Sequence, residues 1–488
     1  MGLKLKPSKC RSLSVCGGTA TSVPFYLSDD EISTLDQDPH MFLGSLITFR
    51  NKPAEVYDYI HEKLSSGLDR IDKSLIRNEH KLRVYADYLL PSLRFHLTVN
   101  DMCISHLNNL DTLVNRFLKK WSGLPHPGTL AFLHMPNGLA IKRIADVYYE
   151  SHTAAHISSR MKGGEVVNQC LDSRLEREKK WSSKKSVVCK SEDIFQQVSQ
   201  SNESIKACQN AAKKVSTDEI SHFWHDKVKS LLVQGRFLDL LCTEATAYHW
   251  KSVLYNLPVG VCKFVINSLC DTLNNKANLK RWGKALNDKC SLCKNRATLH
   301  HILNYCSVSL EQGRFTWRHN NILQHICKTI ISGFKPDNCP EILCDINEFT
   351  KGKPTTVPIE CTITNLIPDL CMFWKSCKKL VIIELTVPFE LNIDQAHKRK
   401  LDKYTALVSD IKSNGFECDI ITLEIGSRGY ISPDNQKRLK SILKLCNNPA
   451  SFKSFRDDLS KLAILSSFSI FHAHKEPSWD NYPLLSVS

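Results

Sequence analysis

The sequence predicts a multidomain α+β protein: helices before residue 285, a cysteine–histidine cluster, then a small α/β domain. Three observations support this. The chain has 488 residues, beyond what one hydrophobic core normally organises, so two to four domains are expected. Apolar residues recur at three- and four-residue steps in the earlier part, the signature of buried helix faces. From Ile367 to Gly426 the pattern changes to two β-branched runs, a polar helix and a third run.

Bulk properties narrow the class. A hydrophobic fraction of 42% and a charged fraction of 24% are ordinary for a core-forming protein. No run approaches the length of a membrane span, because the apolar Leu380–Val387 is short and carries Glu384. The first six residues lack a signal-peptide core, and position 6 is Lys6 rather than the Ser or Thr of a myristoylation site. The soluble interior of a cell is the expected location, without membrane partners. A formal charge of +15 favours polyanions as partners, since basic side chains release counterions from a phosphate backbone. Twenty cysteines in a chain of this length without a secretory signal read as reduced thiols and local metal sites. Cys103, Cys242, Cys262 and Cys270 sit singly in apolar stretches, where cysteine acts as a small hydrophobe.

In chain order, residues 1–100 read as short strands and turns and then a helix. Met41–Ile47 is a buried-strand type of run, and about Pro53 to Arg70 is helical. Residues 101–122 form the clearest helix, with Leu107, Leu110, Leu113, Val114, Phe117, Leu118 and Trp121 on one face and Gly123 and Pro125 as stops. Residues 160–230 are polar and helix-prone. Their basic cluster (Arg174, Arg177, Lys179, Lys180, Lys184, Lys185) reads as a solvated face or a phosphate track. Residues 235–285 are again apolar and helical. Lys351–Pro358 is the expected linker, from its Gly, Pro and Thr content.

Cys290-x2-Cys293-x7-His301-x4-Cys306 offers three thiolates and an imidazole within seventeen residues. A Cys-x2-Cys turn can put two sulfurs on one tetrahedral ion, and His301 and Cys306 can close the site. A sulfur-and-nitrogen set suits Zn²⁺, and four protein ligands leave no open position, so the expected role is structural. His300 competes with His301 for the fourth place. The looser group His325, Cys327, Cys339 and Cys344 reads as scattered structural residues.

Ile367–Trp374 and Leu380–Val387 read as two strands around the polar break Lys375 to Lys379. If they form an antiparallel hairpin with a two-residue loop at Ser376-Cys377, Asp369 faces Glu384 on one side of the sheet. Two carboxylates that close repel unless a cation lies between them, which points to a Mg²⁺-type site. A helix follows from about Asp394 to Ser413, stopped by Asn414-Gly415 and carrying Lys398, Arg399, Lys400, Lys403 and Tyr404. Cys418–Gly426 is the third strand. The position two after Glu384 is Thr386, so a charge-stabilising lysine must come from the helix, with Lys400 first and Lys403 second. A buried strand acid paired with a helix lysine is the competing explanation of the same residues.

The order of these features resembles the C-terminal half of non-LTR retrotransposon polyproteins with a restriction-like endonuclease, the type that targets ribosomal DNA. Gly2–Cys10 and Phe42-Leu43-Gly44 are similar to reverse-transcriptase palm segments, and Leu90–Phe95 with the Leu107–Trp121 helix is similar to the thumb. Asn278–Trp282 precedes the knuckle and Arg318-His319 follows it, as in that family. Pro368-Asp369, Glu384, Lys400, Lys403 and Tyr404 match the endonuclease pattern.

The resemblance implies a palm remnant over 1–100, a thumb-like region over 101–160 and a basic helical linker over 161–285. It implies a zinc knuckle and following helix over 286–320, a restriction-like endonuclease domain over 355–450 and a tail over 451–488. It also implies nuclear location, target DNA as partner with the element's RNA as a second candidate, and a structural Zn²⁺. Catalytic Mg²⁺ would lie on Asp369 and Glu384, with Lys400, Lys403 and Tyr404 in support. The paired aspartates of the polymerase are not found. Tyr85-Ala86-Asp87-Tyr88 superficially resembles that box, but its second acid is Tyr88 and its context is helical. The expectation is therefore a truncated polyprotein with a nuclease and no polymerase activity. The alternative is an inactive remnant that only binds DNA or RNA.

Overall fold

The computed structural model describes residues 6–17, 19–21, 23–27, 29–35, 38, 40–42, 45–47, 53–181, 186–201, 204–243, 250–335, 339–346, 356–446 and 451–480. Gly2–Leu5, Leu43, Gly44, Lys184, Lys185, most of the expected linker and the last eight residues lie outside them. None of the helices in the described residues is long and apolar enough to cross a membrane. The chain divides into two compact units, the first made of residues 1–121, 133–136 and 140–224 and the second of 122–132, 137–139 and 225–488.

The first unit begins with six three-residue strands. Antiparallel ladders join β1 (Ser14–Cys16) to β2 (Thr19–Thr21), β3 (Phe25–Leu27) to β4 (Asp30–Ile32), and β5 (His40–Phe42) to β6 (Ser45–Ile47). Among the described residues these remain three separate ladders. Strands this short offer few backbone groups to a third partner.

Helices follow: α1 (Pro53–Lys73), α2 (Asn78–Val84), α3 (Leu90–Val99), α4 (Ile104–Ser122), α5 (Ala131–His134), α6 (Ile144–Lys162), α7 (Gly164–Trp181), α8 (Val187–Ser199) and α9 (Ile205–Lys229). Their spacing explains their burial. α1 buries Val56, Ile60, Leu64, Leu68 and Ile71, and α4 buries Leu107, Leu110, Val114, Leu118 and Trp121. Asp111 on α4 accepts hydrogen bonds from Ile144 N at 2.7 Å and Ala145 N at 3.4 Å, capping α6 from outside. Tyr85–Leu89 is a π-helical turn between α2 and α3. Asp87 there pairs with Arg83, in the helical context expected for Tyr85–Tyr88.

The second unit contains α10 (Gly235–Thr243), α11 (Trp250–Leu254), α12 (Val261–Leu269), α13 (Lys276–Arg281), α14 (Ser307–Glu311) and α15 (Arg314–Gly333). A four-stranded sheet follows, in the order β10-β9-β8-β7, from β7 (Glu341–Cys344), β8 (Leu370–Trp374), β9 (Lys379–Thr386) and β10 (Glu417–Glu424). β8 is antiparallel to both neighbours, and β10 runs parallel to β9 after the crossover helix α16 (Ile393–Ser413). Two further helices close the unit, α17 (Pro433–Leu445) and α18 (Phe452–His472).

Alternation along the strands makes two cores. On one face Leu370, Met372, Val381, Ile383 and Leu423 pack with Ile322, Leu323 and Ile326 of α15, Leu439 of α17 and Leu459 of α18. On the other, Cys371, Phe373, Leu380, Ile382 and Cys418 pack with Tyr404, Leu407 and Ile411 of α16.

The hairpin register is the expected one. Leu370 pairs with Ile383 and Trp374 with Lys379, which keeps Asp369 opposite Glu384. Two details need correction. The loop is the four residues Lys375–Lys378, with Lys378 at φ 50°, rather than two residues, and the first strand starts at Leu370 rather than Ile367. Both leave the centre of the hairpin unchanged. α16 ends as expected, with Gly415 at φ 82° donating to Lys412 O.

The stretch from 451, expected as a tail, is instead the core helix α18, with Phe455, Leu459 and Ala463 buried against α15 and α17. Serines lie on its buried face: Ser467 Oγ accepts from Arg318 and Ser460 Oγ donates to Gly429 O, while Ser466 Oγ has no hydrogen-bond partner among the described residues. The linker also ends inside the unit, since Thr356 and Val357 are buried. Cys327 and Cys344 lie in the apolar core, as scattered structural cysteines would.

Candidate active site and metal centre

The cysteine–histidine cluster is built from a small hairpin and a turn of helix. Lys289 bridges Arg296, Cys290 N donates to Asn295 O at 2.6 Å, and Ala297 N donates to Asp288 O at 2.7 Å. Lys294 takes a left-handed φ of 64°, which folds Cys293 back towards Cys290. Thr298 Oγ1 then accepts from His301 N, and the turn His301–Tyr305 ends at Cys306. One ligand atom from each of Cys290, Cys293, His301 and Cys306 lies within 4.8 Å of the others. Cys293 Sγ is 3.1 Å from His301 Nε2.

Burial pushes the His301 imidazole down, so it is neutral and able to donate a lone pair. Burial also raises the Cys306 thiol, but hydrogen bonds from Ser309 and the other cysteines outweigh it and hold the thiol below its usual range. Three sulfurs and a neutral imidazole converging this closely could hold a zinc ion. His300 points elsewhere. Its ring lies 4.4 Å from Tyr305 and 4.6 Å from Phe389, and Asn392 Nδ2 donates to its Nε2.

A second polar group interrupts the α16 face of the sheet. Asp369 precedes β8, Glu384 lies opposite it on β9, and Thr422 of β10 is beside Glu384 in the parallel register. Three polar residues therefore stand in one row across an apolar sheet. Glu384 is 1% exposed. Its Oε1 accepts from Asp369 N at 3.1 Å, and its Oε2 accepts from Lys400 Nζ at 2.5 Å. Asp369 Oδ2 accepts from Leu385 N at 2.7 Å and lies 3.3 Å from His319 Nε2 and 3.8 Å from Lys400 Nζ. Because Lys400 Nζ touches both acids, their facing oxygens are no further apart than the sum of those two distances. A cation shared by the two requires those oxygens to come within about 5 Å, the reach of two metal–oxygen bonds.

The electrostatics divide the pair. Burial and the Asp369 charge push Glu384 up, against the pull of Lys400. Burial raises Asp369 too, but hydrogen bonding and charge from His319, then Lys400 and Leu385 N, hold it below the usual carboxylate range. His319 is pushed up by Asp369 despite its own burial.

The helix residues separate by position. Lys400 reaches the carboxylates. Lys403 Nζ instead donates to Tyr404 Oη at 3.0 Å and lies over that ring at 4.6 Å. Tyr404 is buried beside Glu384 and donates to Ile367 O at 3.4 Å.

A cleft of about 1070 Å³ adjoins these residues, lined among others by Arg318, His319, Asp345, Asp369, Arg399 and Lys400. Arg318 is 1% exposed and lacks a carboxylate at ion-pair distance among the described residues. It donates to Ser467 Oγ and Val387 O, and its guanidinium pKa is lowered to about 10 by burial. The knuckle turn forms part of the lining through Asn304, which donates to Val387 O, and Tyr305. Sequence reasoning noted Arg318-His319 only by their place after the knuckle and missed Asp345 altogether. The signal for His319 was its position at the start of a helix whose later apolar residues cover the sheet.

Over 423 residues, 83% of this chain, the sequence is 23% identical to the retrovirus-related Pol polyprotein from type-2 retrotransposable element R2DM of Drosophila melanogaster. The matched part is 35% of that protein, so the chain spans about a third of the length of the relative it matches. The similarity supports a relationship to retrotransposon polyproteins. No protein-family model matches the chain.

Proposed function

We propose that the second unit is a divalent-metal-dependent DNA endonuclease that nicks target DNA, within a retrotransposon-derived nucleic-acid-binding protein. The observation that carries this reading is the pair Asp369 and Glu384 facing each other on adjacent strands with Lys400 Nζ against both. The chemistry of the donors fits Mg²⁺: they are hard carboxylate oxygens, and a cation, the Lys400 ammonium, is already accommodated between them. Asp369 and Glu384 would hold the ion, which when bound polarises the phosphoryl group and lowers the pKa of water.

The rest of the work falls to the chain's own groups. Leu385 N and His319 fix Asp369, and Asp369 N and Lys400 fix Glu384, so neither carboxylate swings freely. Lys400 is positioned to stabilise negative charge developing on a phosphodiester as water attacks phosphorus and the P–O bond to the 3′ carbon's oxygen breaks. Exposed Arg399, lining the same cleft, supplies charge for the phosphate backbone, and buried Arg318 adds positive potential at the cleft wall. Lys403 acts through Tyr404.

In this reading, residues 355–450 together with α15 and α18 form the endonuclease, and 286–320 form a zinc knuckle with Cys290, Cys293, His301 and Cys306 as ligands. The helices before it hold nucleic acid. A nick with a 3′ hydroxyl would serve as a primer for reverse transcription. No polymerase chemistry is proposed for the present residues, since the only acid in Tyr85–Tyr88, Asp87, is paired with Arg83.

The test is nicking of supercoiled plasmid by the zinc-loaded full chain in Mg²⁺. Wild type is expected to cut and Asp369→Ala not to; equal cutting by the two overturns the proposal. One observation favours a second reading, a protein that binds DNA or RNA without cutting it. Lys400 closes on Glu384 at 2.5 Å, and this buried ion pair itself compensates the carboxylate's charge. Salt-dependent DNA binding with no cleavage in Mg²⁺, Mn²⁺ or Co²⁺ would select it.

A further inference from the structure

We propose that Asn304, Tyr305 and Asn392 are positioning residues that link the cysteine–histidine cluster to the carboxylate centre, so that zinc at one and a divalent cation at the other bind cooperatively. This rests on the nuclease and knuckle readings above and extends them from two separate sites to one coupled pair.

His301 and Cys306 bracket the turn His301–Tyr305, so Asn304 and Tyr305 stand between two candidate ligands without supplying a ligand atom themselves. Both reach instead to the connection 387–392, which joins the end of β9 to the start of α16. Asn304 Nδ2 donates to Val387 O at 2.9 Å, three residues beyond Glu384. Asn392 Nδ2 donates to Tyr305 Oη at 2.9 Å and to His300 Nε2 at 3.3 Å, from the N-cap of the helix that carries Lys400. The knuckle turn therefore grips both ends of the segment that separates Glu384 from Lys400.

The middle of that segment is held from another side, with Glu390 on Arg428 and Pro388 O accepting from Ser427 N at 2.8 Å. The Val387 end also touches the Asp369 side of the centre. Arg318 donates to the same Val387 oxygen at 3.2 Å, and its neighbour His319 lies against Asp369.

The two asparagines run against local preference. An N-cap asparagine ordinarily turns its oxygen to the amides of the first helical turn. Asn392 makes no such bond, and its amide goes to the knuckle turn. Asn304 buries its Oδ1 with no hydrogen-bond partner among the described residues, a penalty that alanine would not carry. Side chains placed in this way on both sides of one contact mark a junction that serves geometry rather than local stability.

Linkage between two binding sites is reciprocal, so each metal must tighten the other by the same factor. Loss of the outer groups that orient metal-binding side chains commonly weakens a site about 10–100-fold.

The experiment is Mn²⁺ titration of the full chain read by electron paramagnetic resonance, with zinc loaded and after a zinc-selective chelator has withdrawn it. The ion followed is the one that Asp369→Asn abolishes. Wild type is expected to hold it about tenfold more tightly with zinc bound, and to hold zinc more tightly by the same factor with Mn²⁺ bound. The double variant Asn304→Ala, Tyr305→Phe leaves all four ligands in place. It is expected to keep one zinc per chain, to bind Mn²⁺ as weakly as zinc-free wild type, and to show no further change when zinc is withdrawn. Asn392→Ala, which leaves the knuckle turn itself unaltered, is expected to weaken the Mn²⁺ site in the same direction. A purely structural contact would shift the melting temperature without this reciprocity. Mn²⁺ affinity that ignores zinc in wild type overturns the proposal and leaves the nuclease reading standing. Coupling undiminished in either variant overturns it too. A wild type without any Mn²⁺ site that Asp369→Asn abolishes overturns both readings.

Discussion

Removing the Glu390 carboxylate should destabilise the second unit more than any single surface change. Glu390 opens the short turn Glu390–Asn392 that follows β9, and it is 2% exposed. Its two oxygens accept from Arg428 N and Arg428 Nε, each at 2.6 Å. Arg428, also 2% exposed, donates from its guanidinium to Ser268 O at 2.9 Å and stacks 4.2 Å from Phe389 and 4.5 Å from Phe237. Truncating one partner of such a buried pair leaves a desolvated charge, which costs about 3–5 kcal/mol. For a unit of this size the fall in Tm is on the order of 10 °C.

The arrangement also explains Gly426, where a Cβ would meet Glu390 Oε1 at 2.7 Å, so Gly426 leaves room for the pinned carboxylate. Urea unfolding of wild type, Glu390→Ala, Arg428→Met and the double variant, followed by tryptophan fluorescence, gives the coupling. The double variant is expected to be more stable than the sum of the singles implies. A loss below about 1 kcal/mol for Glu390→Ala, or additivity in the cycle, would refute the reasoning.

Two further outcomes are expected. The knuckle should carry one zinc per chain, retained through gel filtration. Cys306→Ser should release it and lower the second unit's melting temperature, because metal binding there is also folding energy; full zinc content in Cys306→Ser would count against the ligand set. In the first unit, burial raises Asp111 from 3.8 to about 6, partly opposed by the amides of Ile144 and Ala145. The folded state therefore holds a proton that the unfolded state releases between those values. The stabilisation, roughly 3 kcal/mol at most, is fully present below about pH 4 and is lost as pH rises through about 6. Asp111→Asn should flatten this slope in melting curves between pH 4 and 7, and an unchanged slope would exclude Asp111 as its source.

Much of the candidate centre could be read from local pattern. Two β-branched runs around a short polar break close a hairpin about one centre, and alternation then fixes which side chains oppose. The facing of Asp369 and Glu384 therefore followed without knowledge of the rest, and the loop could differ by two residues without shifting it. The Asn414-Gly415 stop and the spacing of Cys290, Cys293, His301 and Cys306 are equally local.

What local pattern could not supply depends on segments distant in sequence. His301 rather than His300 joins the cysteines because Phe389, Tyr305 and Asn392 hold the His300 ring. Lys400 rather than Lys403 reaches the acids because α16 crosses the sheet at one rotation, which its buried Tyr404, Leu407 and Ile411 determine. Asp345 reaches the cleft through β7, a four-residue strand that has no periodicity to announce it and pairs across a long connection. The stretch expected as a tail is the core helix α18 because Phe455, Leu459 and Ala463 pack against α15 and α17, partners brought together only by folding. Sequence alone thus determined the carboxylate pair and the sulfur–nitrogen set, where short-range geometry suffices. Tertiary packing decided which lysine and which histidine meet them, because burial of distant apolar faces sets the rotation and register of each element.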